Sequence, residues 1–370
     1  MDCFCKTTLP LTVKPFPSLS PLNGTGDRFG FRRLRRPSLP VFVVCVSRCD
    51  PGSLNTPLQP RSPTGRHLTA VLQNQRQLFH SAVEEELKLL ACDRVEAVLR
   101  VAAASPGDQA CLYRRITEIK QRDWQISIRD IMYAFILFKF GEIKVHLVPK
   151  LSKCIYNGRL EIWPAKDWEL ESIHGIDTLE MIKEHITAVI GLKANSSVTD
   201  GWAITEVQRP RLGQVYASSI LYGYFLKSAS KRHNLESTLA LPRPGHSSMD
   251  GNYSWSNLLF GSINRFQAGR SPISEGKRPE KLQCYVFGFD KETLQRRMKV
   301  RSKEASDLID KHTRALFGDG MTDGSVEPSD QTILTSFSSL KRLVLEAVAF
   351  GSFLWDVEEY IDGLYKLNDN

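Results

Sequence analysis

The sequence predicts an all-α fold: an irregular multi-helix bundle with at most a few short strands and a disordered insertion. Three observations predict it. Residues 337–361 are apolar on nearly all sides, with Leu340, Leu343, Val344, Ala347, Val348, Leu354, Trp355 and Ile361 at helical spacing and Ala349, Phe350, Phe353 and Val357 on a second side. A helix apolar all round is a buried one, so this segment should sit at the centre. No proline interrupts the chain between Thr64 and Ala104, where helical periodicity is sustained. Extended, β-rich runs are short and few.

In chain order, a helical stripe opens at His67 with Leu68, Val71, Leu72, Leu78, Phe79, Ala82, Val83, Leu87 and Leu90, and Pro106-Gly107 closes that region. Glu84-Glu-Glu86 lies largely off the stripe, as a solvated face does. Leu112–Lys120 reads as a short amphipathic helix and Ile126–Phe140 as a second, mostly buried one. Val145–Pro149 and Leu160–Pro164 read as extended, the latter because a proline disfavours helix before it. Asp177-Thr-Leu-Glu180 has the spacing of a capping box, with Asp177 as N-cap. A helix follows Pro210 over Leu212–Leu226, and its Gly213/Ala217 and Ser219/Gly223 pairs suit close helix contact. Gly351 and Ser352 offer the same on the closing helix. Leu282–Phe289 reads as a strand. Asp290 then caps one long helix, with Leu294, Met298, Ala305, Leu308, Ile309, His312 and Leu316 on its stripe and Gly318 at its end. Gly320–Asp330 is a polar loop. No internal repeat is evident.

The domain organisation follows from composition. Residues 1–60 hold eight Lys and Arg, three Asp and no Glu, so they carry +5 of the net +8. They are rich in Ser, Thr and Pro and lack helical periodicity. Such a leader has the composition of an organelle transit peptide, and no apolar stretch of a secretory signal follows Met1. A disordered tail and a nuclear signal at Arg32-Arg-Leu-Arg-Arg36 are the competing readings. We therefore divide the chain into a leader (1–49), a linker (50–64) and a single helical domain (65–370). Residues 236–280, with four prolines among many Gly and Ser, interrupt that domain as an insertion. No apolar run approaches the roughly 20 residues that span a bilayer. Cys3, Cys5, Cys45 and Cys49 lie in the leader; Cys92, Cys111, Cys154 and Cys284 are scattered without a CxxC pair, which suits free thiols rather than disulfides or zinc.

Motifs of catalysis are sparse. The chain has no phosphate-binding loop, GxGxxG, GxSxG or HExxH. Glu171-Ser-Ile-His174 is the one E-x-x-H, and a di-iron carboxylate bundle needs two such motifs plus two glutamates. With His185 and His312, these residues form the weak set from which a metal or catalytic site could be assembled. His185 and His312 also suit plain core histidines. Arg296, Arg297, Lys299, Arg301 and Lys303 form a basic face on the helix after Asp290. It could touch RNA or an anionic membrane, but Glu292, Glu304, Asp307 and Asp310 dilute it and no aromatics interleave it. No cofactor is expected, and nucleic acid is disfavoured.

Several segments together resemble a known family. They are Leu112–Lys120, Gly213–Ala217 with Gly223–Lys227, Arg301–Ala305 with Lys311–Gly318, and Leu340–Ala347 running into Phe350–Glu358. In this order they resemble the plant family of UV-B-induced, chloroplast-targeted proteins that carries the domain of unknown function numbered 760. The likeness spans roughly Thr64 to Tyr365 and lapses in 236–280. It implies a plastid address and brings no catalytic residue with it.

The function read from these features is a non-catalytic, stress-responsive helical protein of the chloroplast stroma that works through protein partners. The alternative is a plastid enzyme or metal-binding protein with a site assembled from scattered Glu and His; RNA or membrane-surface binding is the weaker third. One segment of the insertion stands out. Tyr253, Trp255, Leu259, Ile263 and Phe266 concentrate aromatic and aliphatic residues where a linker is ordinarily poor in them. On a helix the last four share one face, the anchor spacing of a segment that docks in a groove on a partner or on this protein itself.

Overall fold

The computed structural model describes residues 55–104, 107–190, 204–239, 281–318 and 332–367. The leader, the Tyr253–Phe266 segment and the polar loop 320–330 lie outside them. Among the described residues the architecture is helical, with one small four-stranded sheet.

Helix α1 (Pro63–Asn74) begins where it does because Ser62 Oγ accepts from Gly65 N (2.9 Å) and Pro63 occupies the first turn. A 3₁₀ turn (Arg76–Leu78) separates it from α2 (Phe79–Ala103), so the proline-free stretch is two helices. The two helices expected over Leu112–Lys120 and Ile126–Phe140 are instead one, α3 (Asp108–Glu142). The residues between them contain no breaker, and Trp124 anchors them inward, its Nε1 donating to Asp93 Oδ2 (2.9 Å).

Val145–Pro149 is extended but forms no strand; Val145, Leu147 and Val148 are buried there. β1 (Ile155–Tyr156) and β2 (Arg159–Leu160) make a tiny hairpin, followed by α4 (Asp167–Glu171) and α5 (Ile176–Ile190). Asp177 is not the N-cap of α5 but sits inside its first turn; Leu179 N already bonds to Gly175 O (2.9 Å). β3 (Ile204–Gln208) runs straight into α6 (Arg209–Leu239), so residues 236–239 continue a helix rather than open the insertion.

Leu282–Phe289 is a helix, α7 (Leu282–Phe287), not a strand. Its buried Leu282, Tyr285 and Val286 stand at i, i+3 and i+4, a helical spacing that a short apolar run conceals. The long helix after Asp290 is also two: α8 (Lys291–Met298), capped by Asp290, and α9 (Lys303–Phe317), capped by Ser302. Gly318, at φ 89°, ends α9. β4 (Thr332–Ser336) leads into the buried α10 (Phe337–Tyr365). The sheet order is β1-β2-β4-β3, with β2/β4 parallel and the other pairs antiparallel.

The structure reveals an internal repeat that the sequence hid. α5, β3 and α6 recur as α9, β4 and α10. The two short helices each have 15 residues and the two strands five. The five buried residues of α5 (Thr178, Met181, Ile182, His185, Ile186) match Ala305, Leu308, Ile309, His312 and Thr313 of α9, all buried. On the long helices, Tyr222-Gly-Tyr-Phe-Leu226 corresponds to Phe350-Gly-Ser-Phe-Leu354. β3 and β4 pair about the facing residues Glu206 and Leu334, which are themselves equivalent. The two units are thus related by an approximate two-fold axis, as the subunits of a symmetric dimer are.

At the crossing of α6 and α10 each backbone touches the other. A Cβ on Gly223 would fall 2.1 Å from Val348 O, and one on Gly351 1.9 Å from Ile220 O. Ile220 and Val348 are equivalent positions, so the two contacts are one contact repeated.

Candidate functional site

The repeat places two histidines in matching surroundings. His185 stacks on Tyr222 (ring centroids 4.2 Å, interplanar 19°), and His312 on the equivalent Phe350 (4.5 Å, 17°). Both carry a hydrogen bond to α6. Ser219 Oγ donates to Val215 O, so it accepts from His185 Nε2 (3.0 Å). Tyr216 OH donates to Glu346 Oε1 (3.3 Å), so it accepts from His312 Nε2 (3.1 Å). Each imidazole therefore carries a proton on Nε2. Burial holds His185 down to about 4 and His312 to about 3.

The symmetry breaks beside His312. Glu346 is fully buried, and its carboxylate accepts from Tyr216 and from Val148 N (3.0 and 3.2 Å) and pairs with Arg342 Nη1 (2.9 Å). Arg342 Nη2 donates to His146 O (3.0 Å). Burial pushes the Glu346 carboxyl up, against the Arg342 guanidinium and the Val148 amide that hold it down. The equivalent positions in the first unit are Gln214 and Ser218, so this ion pair belongs to one half alone. It ties the extended 145–148 segment to α10, which is why that segment needs no strand partner.

A second buried carboxylate, Glu358, ties down the break between α8 and α9. It accepts from Ser302 N (2.7 Å), Ser302 Oγ and Tyr224 OH, and Arg301 Nε approaches it at 3.4 Å. Asp130 does the same at α1, accepting from Arg61 N (2.7 Å), Ser62 N (2.7 Å) and Ser62 Oγ (2.9 Å). In both places a buried carboxylate holds the serine that caps a helix.

The Glu and His candidates do not converge. Glu171 Oε1 pairs with Lys341 Nζ (3.1 Å), which also binds Asp167 (2.9 Å). His174 Nε2 is buried without a hydrogen-bonding partner among the described residues; burial first, then Lys227, hold it at about 4. His185 and His312 each bond to α6 as described. No group of three or more His, Cys, Asp or Glu among the described residues is placed to hold a metal ion. Cys92, Cys111, Cys154 and Cys284 are free thiols, and burial pushes Cys154 up to about 11.

The basic residues do not share one helix either. Arg296 and Arg297 belong to α8, Lys299 and Arg301 to the break, and Lys303 to the start of α9. Arg297 lies over Phe289 (4.7 Å) and Arg301 over Trp355 (5.5 Å). Sequence reading missed Arg342, Glu346 and Glu358. The available signal was a charge inside an otherwise apolar run, since buried charges must be paired.

Fold and interior together define a helix-rich protein built on a duplicated helix–strand–helix unit and fastened by buried polar clusters. The chain belongs to the family described as "Protein of unknown function (DUF760)", whose model matches residues 111–239. That match takes in the first of the two repeated units and ends before the second. The chain is 38% identical over 328 residues to the UV-B-induced protein At3g17800, chloroplastic, of Arabidopsis thaliana, covering 84% of this chain and 77% of that relative. No solved structure matches it. No described helix is long and apolar enough to cross a membrane.

Proposed function

We propose that this protein is a stress-responsive, non-catalytic helical protein of the chloroplast stroma that acts through protein partners. In this reading residues 1–49 form the transit peptide, a linker leads from residue 50 up to α1 at Pro63, and the rest is the working domain, with an insertion between the end of α6 at Leu239 and residue 280. The relative's name and the basic, acid-poor leader support the address. One observation carries the partner reading. Trp163 and Trp168, five positions apart, are 87% and 79% exposed, and Tyr156 and Ile176 beside them in the chain are as open. Tryptophan and tyrosine are the residues that most often anchor protein contacts. Asp130, Glu346, Glu358, His185 and His312, by contrast, are engaged inside the protein. Tyr253, Trp255, Leu259, Ile263 and Phe266 stand as a second docking candidate.

Import of the labelled chain into isolated chloroplasts tests the address. It should yield a protease-protected stromal product cleaved between Val44 and Asn55. Native size separation after import should show the wild type in a larger assembly, and Trp163→Ser/Trp168→Ser released from it at an unchanged melting temperature. An unprocessed product defeats the address. A double variant that stays in the assembly defeats the partner surface.

A further inference from the structure

One edge of the sheet is occupied and its copy is open. β2 lies parallel on the outer edge of β4, with Arg159 opposite Leu334 and Leu160 opposite Thr335. Leu334 N donates to Gly158 O (3.3 Å), Thr335 Oγ1 to Leu160 O (3.3 Å), and Ile162 N to Ser339 Oγ (3.1 Å) in the first turn of α10. The internal two-fold makes β3 the copy of β4. The outer edge of β3 ends the sheet, with no strand on it among the described residues. Ile204, Glu206 and Gln208 are exposed along it.

The pairing fixes which backbone groups that edge offers. In an antiparallel ladder, directly opposed residues exchange both backbone hydrogen bonds or neither. Glu206 opposes Leu334, whose amide is turned away to Gly158, so this pair exchanges neither. The N–H and C=O of Glu206 therefore point out of the sheet, as a template for one more strand.

We propose that this edge binds an extended segment of a partner protein, laid parallel to β3 as β2 lies on β4. The differences between the two copies set the charge of that segment. Where β4 has Leu334, β3 has Glu206, so a basic residue belongs opposite it. Where Ser339 receives Ile162 N, α6 has Arg211, which is exposed. Arg209 Nε, two residues earlier, is buried without a hydrogen-bond partner among the described residues. An acidic residue belongs there, two positions after the basic one. Arg159 and Glu161 carry that same order, and beside the uncharged Leu334 they pair with each other instead (2.9 Å). β3 and β1 are opposite ends of the sheet, so this site is separate from the surface of Trp163, Trp168 and Tyr156 and extends the partner reading to a second contact.

Fluorescence anisotropy of labelled peptides with the full chain tests this, with melting temperatures as the folding control. The probe is the peptide of residues 157–162, which has arginine and glutamate in the required order. Its counterpart has those two residues exchanged. The probe should bind with a Kd on the order of 0.1 mM or tighter, and the exchanged peptide at least about fivefold more weakly. Glu206→Pro removes only an amide that faces outward, which an edge strand tolerates, and should abolish binding at an unchanged melting temperature. Glu206→Arg/Arg211→Glu should reverse the preference between the two peptides, and it decides alone if Glu206→Pro fails to fold. A probe that stays free at about 1 mM overturns the proposal, whether the edge is covered by another part of this chain or attracts no strand. So does binding that survives a folded Glu206→Pro, or a preference that the double variant leaves unreversed. Trp163 and Trp168 take no part in this assay, so the two partner contacts stand or fall separately.

Discussion

Gly223 and Gly351 occupy the same position in α6 and α10, each fourteen residues beyond the first residue of its helix. Each presses its bare Cα against the backbone of the other helix. Neither has room for a methyl group, and the obstacle is a carbonyl rather than a side chain that could turn away.

Gly351→Ala should therefore lower stability by about 1–3 kcal/mol or more, through forced separation of the two helices. Gly223→Ala should match it. Gly363, also in α10, meets nothing within 4 Å, and Gly363→Ala should stabilise by about 0.5–1 kcal/mol. Denaturant midpoints of the three variants check the set. Equal effects at all three positions would show that helix propensity, not the crossing, is being measured.

His185 and His312 are held neutral by burial, near 4 and 3. Unfolded histidine titrates near 6.5. Between these values the unfolded chain binds more protons, so stability falls as the pH drops below about 6.5. Each fully buried histidine contributes a slope of about 1.4 kcal/mol per pH unit there. His312→Phe should flatten the loss between pH 6.5 and 4.5, whatever it does to stability at pH 8. A melting curve series across that range, with unchanged pH dependence in the variant, would refute the assignment.

Arg342 and Glu346 form a pair with almost no access to water. Arg342→Met leaves the carboxylate buried and uncompensated, and should cost about 3–5 kcal/mol. Arg342→Met/Glu346→Leu should recover much of that loss, because no charge then remains inside. Urea unfolding of the single and double variants measures the difference. A double variant no better than the single would mean that the Val148 and Tyr216 contacts to Glu346 matter more than the pair.

Glu358 is the acceptor for Ser302 and Tyr224 at the break between α8 and α9. Glu358→Ala should destabilise by at least about 2 kcal/mol, as several buried donors lose their acceptor together. Hydrogen exchange should rise first at Ser302–Ser306. Uniform exchange across the chain would place the effect in global stability alone.

Much of the fold could be read from residues. The buried α10 declared itself because apolar residues cover nearly all of its sides, and Gly318 marked the end of α9 as a residue tolerant of positive φ. The segments resembling the plant family were also plain in the sequence. The histidines were visible but their roles were not. His185 and His312 read as two separate core or boundary histidines until α5 and α9 proved to be copies, each with an aromatic ring one helix away.

Local pattern settles a helix when its period is long enough to be unmistakable, and it settled α10 and the helical class of this chain by itself. It could not settle Leu282–Phe287, where six residues carry too few turns to tell a helix from a strand. Nor could it find the break at Lys299–Arg301, because the apolar stripe resumes in phase on the far side. There the decision came from Glu358, 56 residues beyond Ser302, whose carboxylate receives the amide and hydroxyl that a continuous helix would have withheld. The repeat was hidden for a related reason. What the two units share is a few buried positions and a two-fold contact between glycines, and a contact exists only once the chain has folded and brought Gly223 and Gly351 to the same crossing.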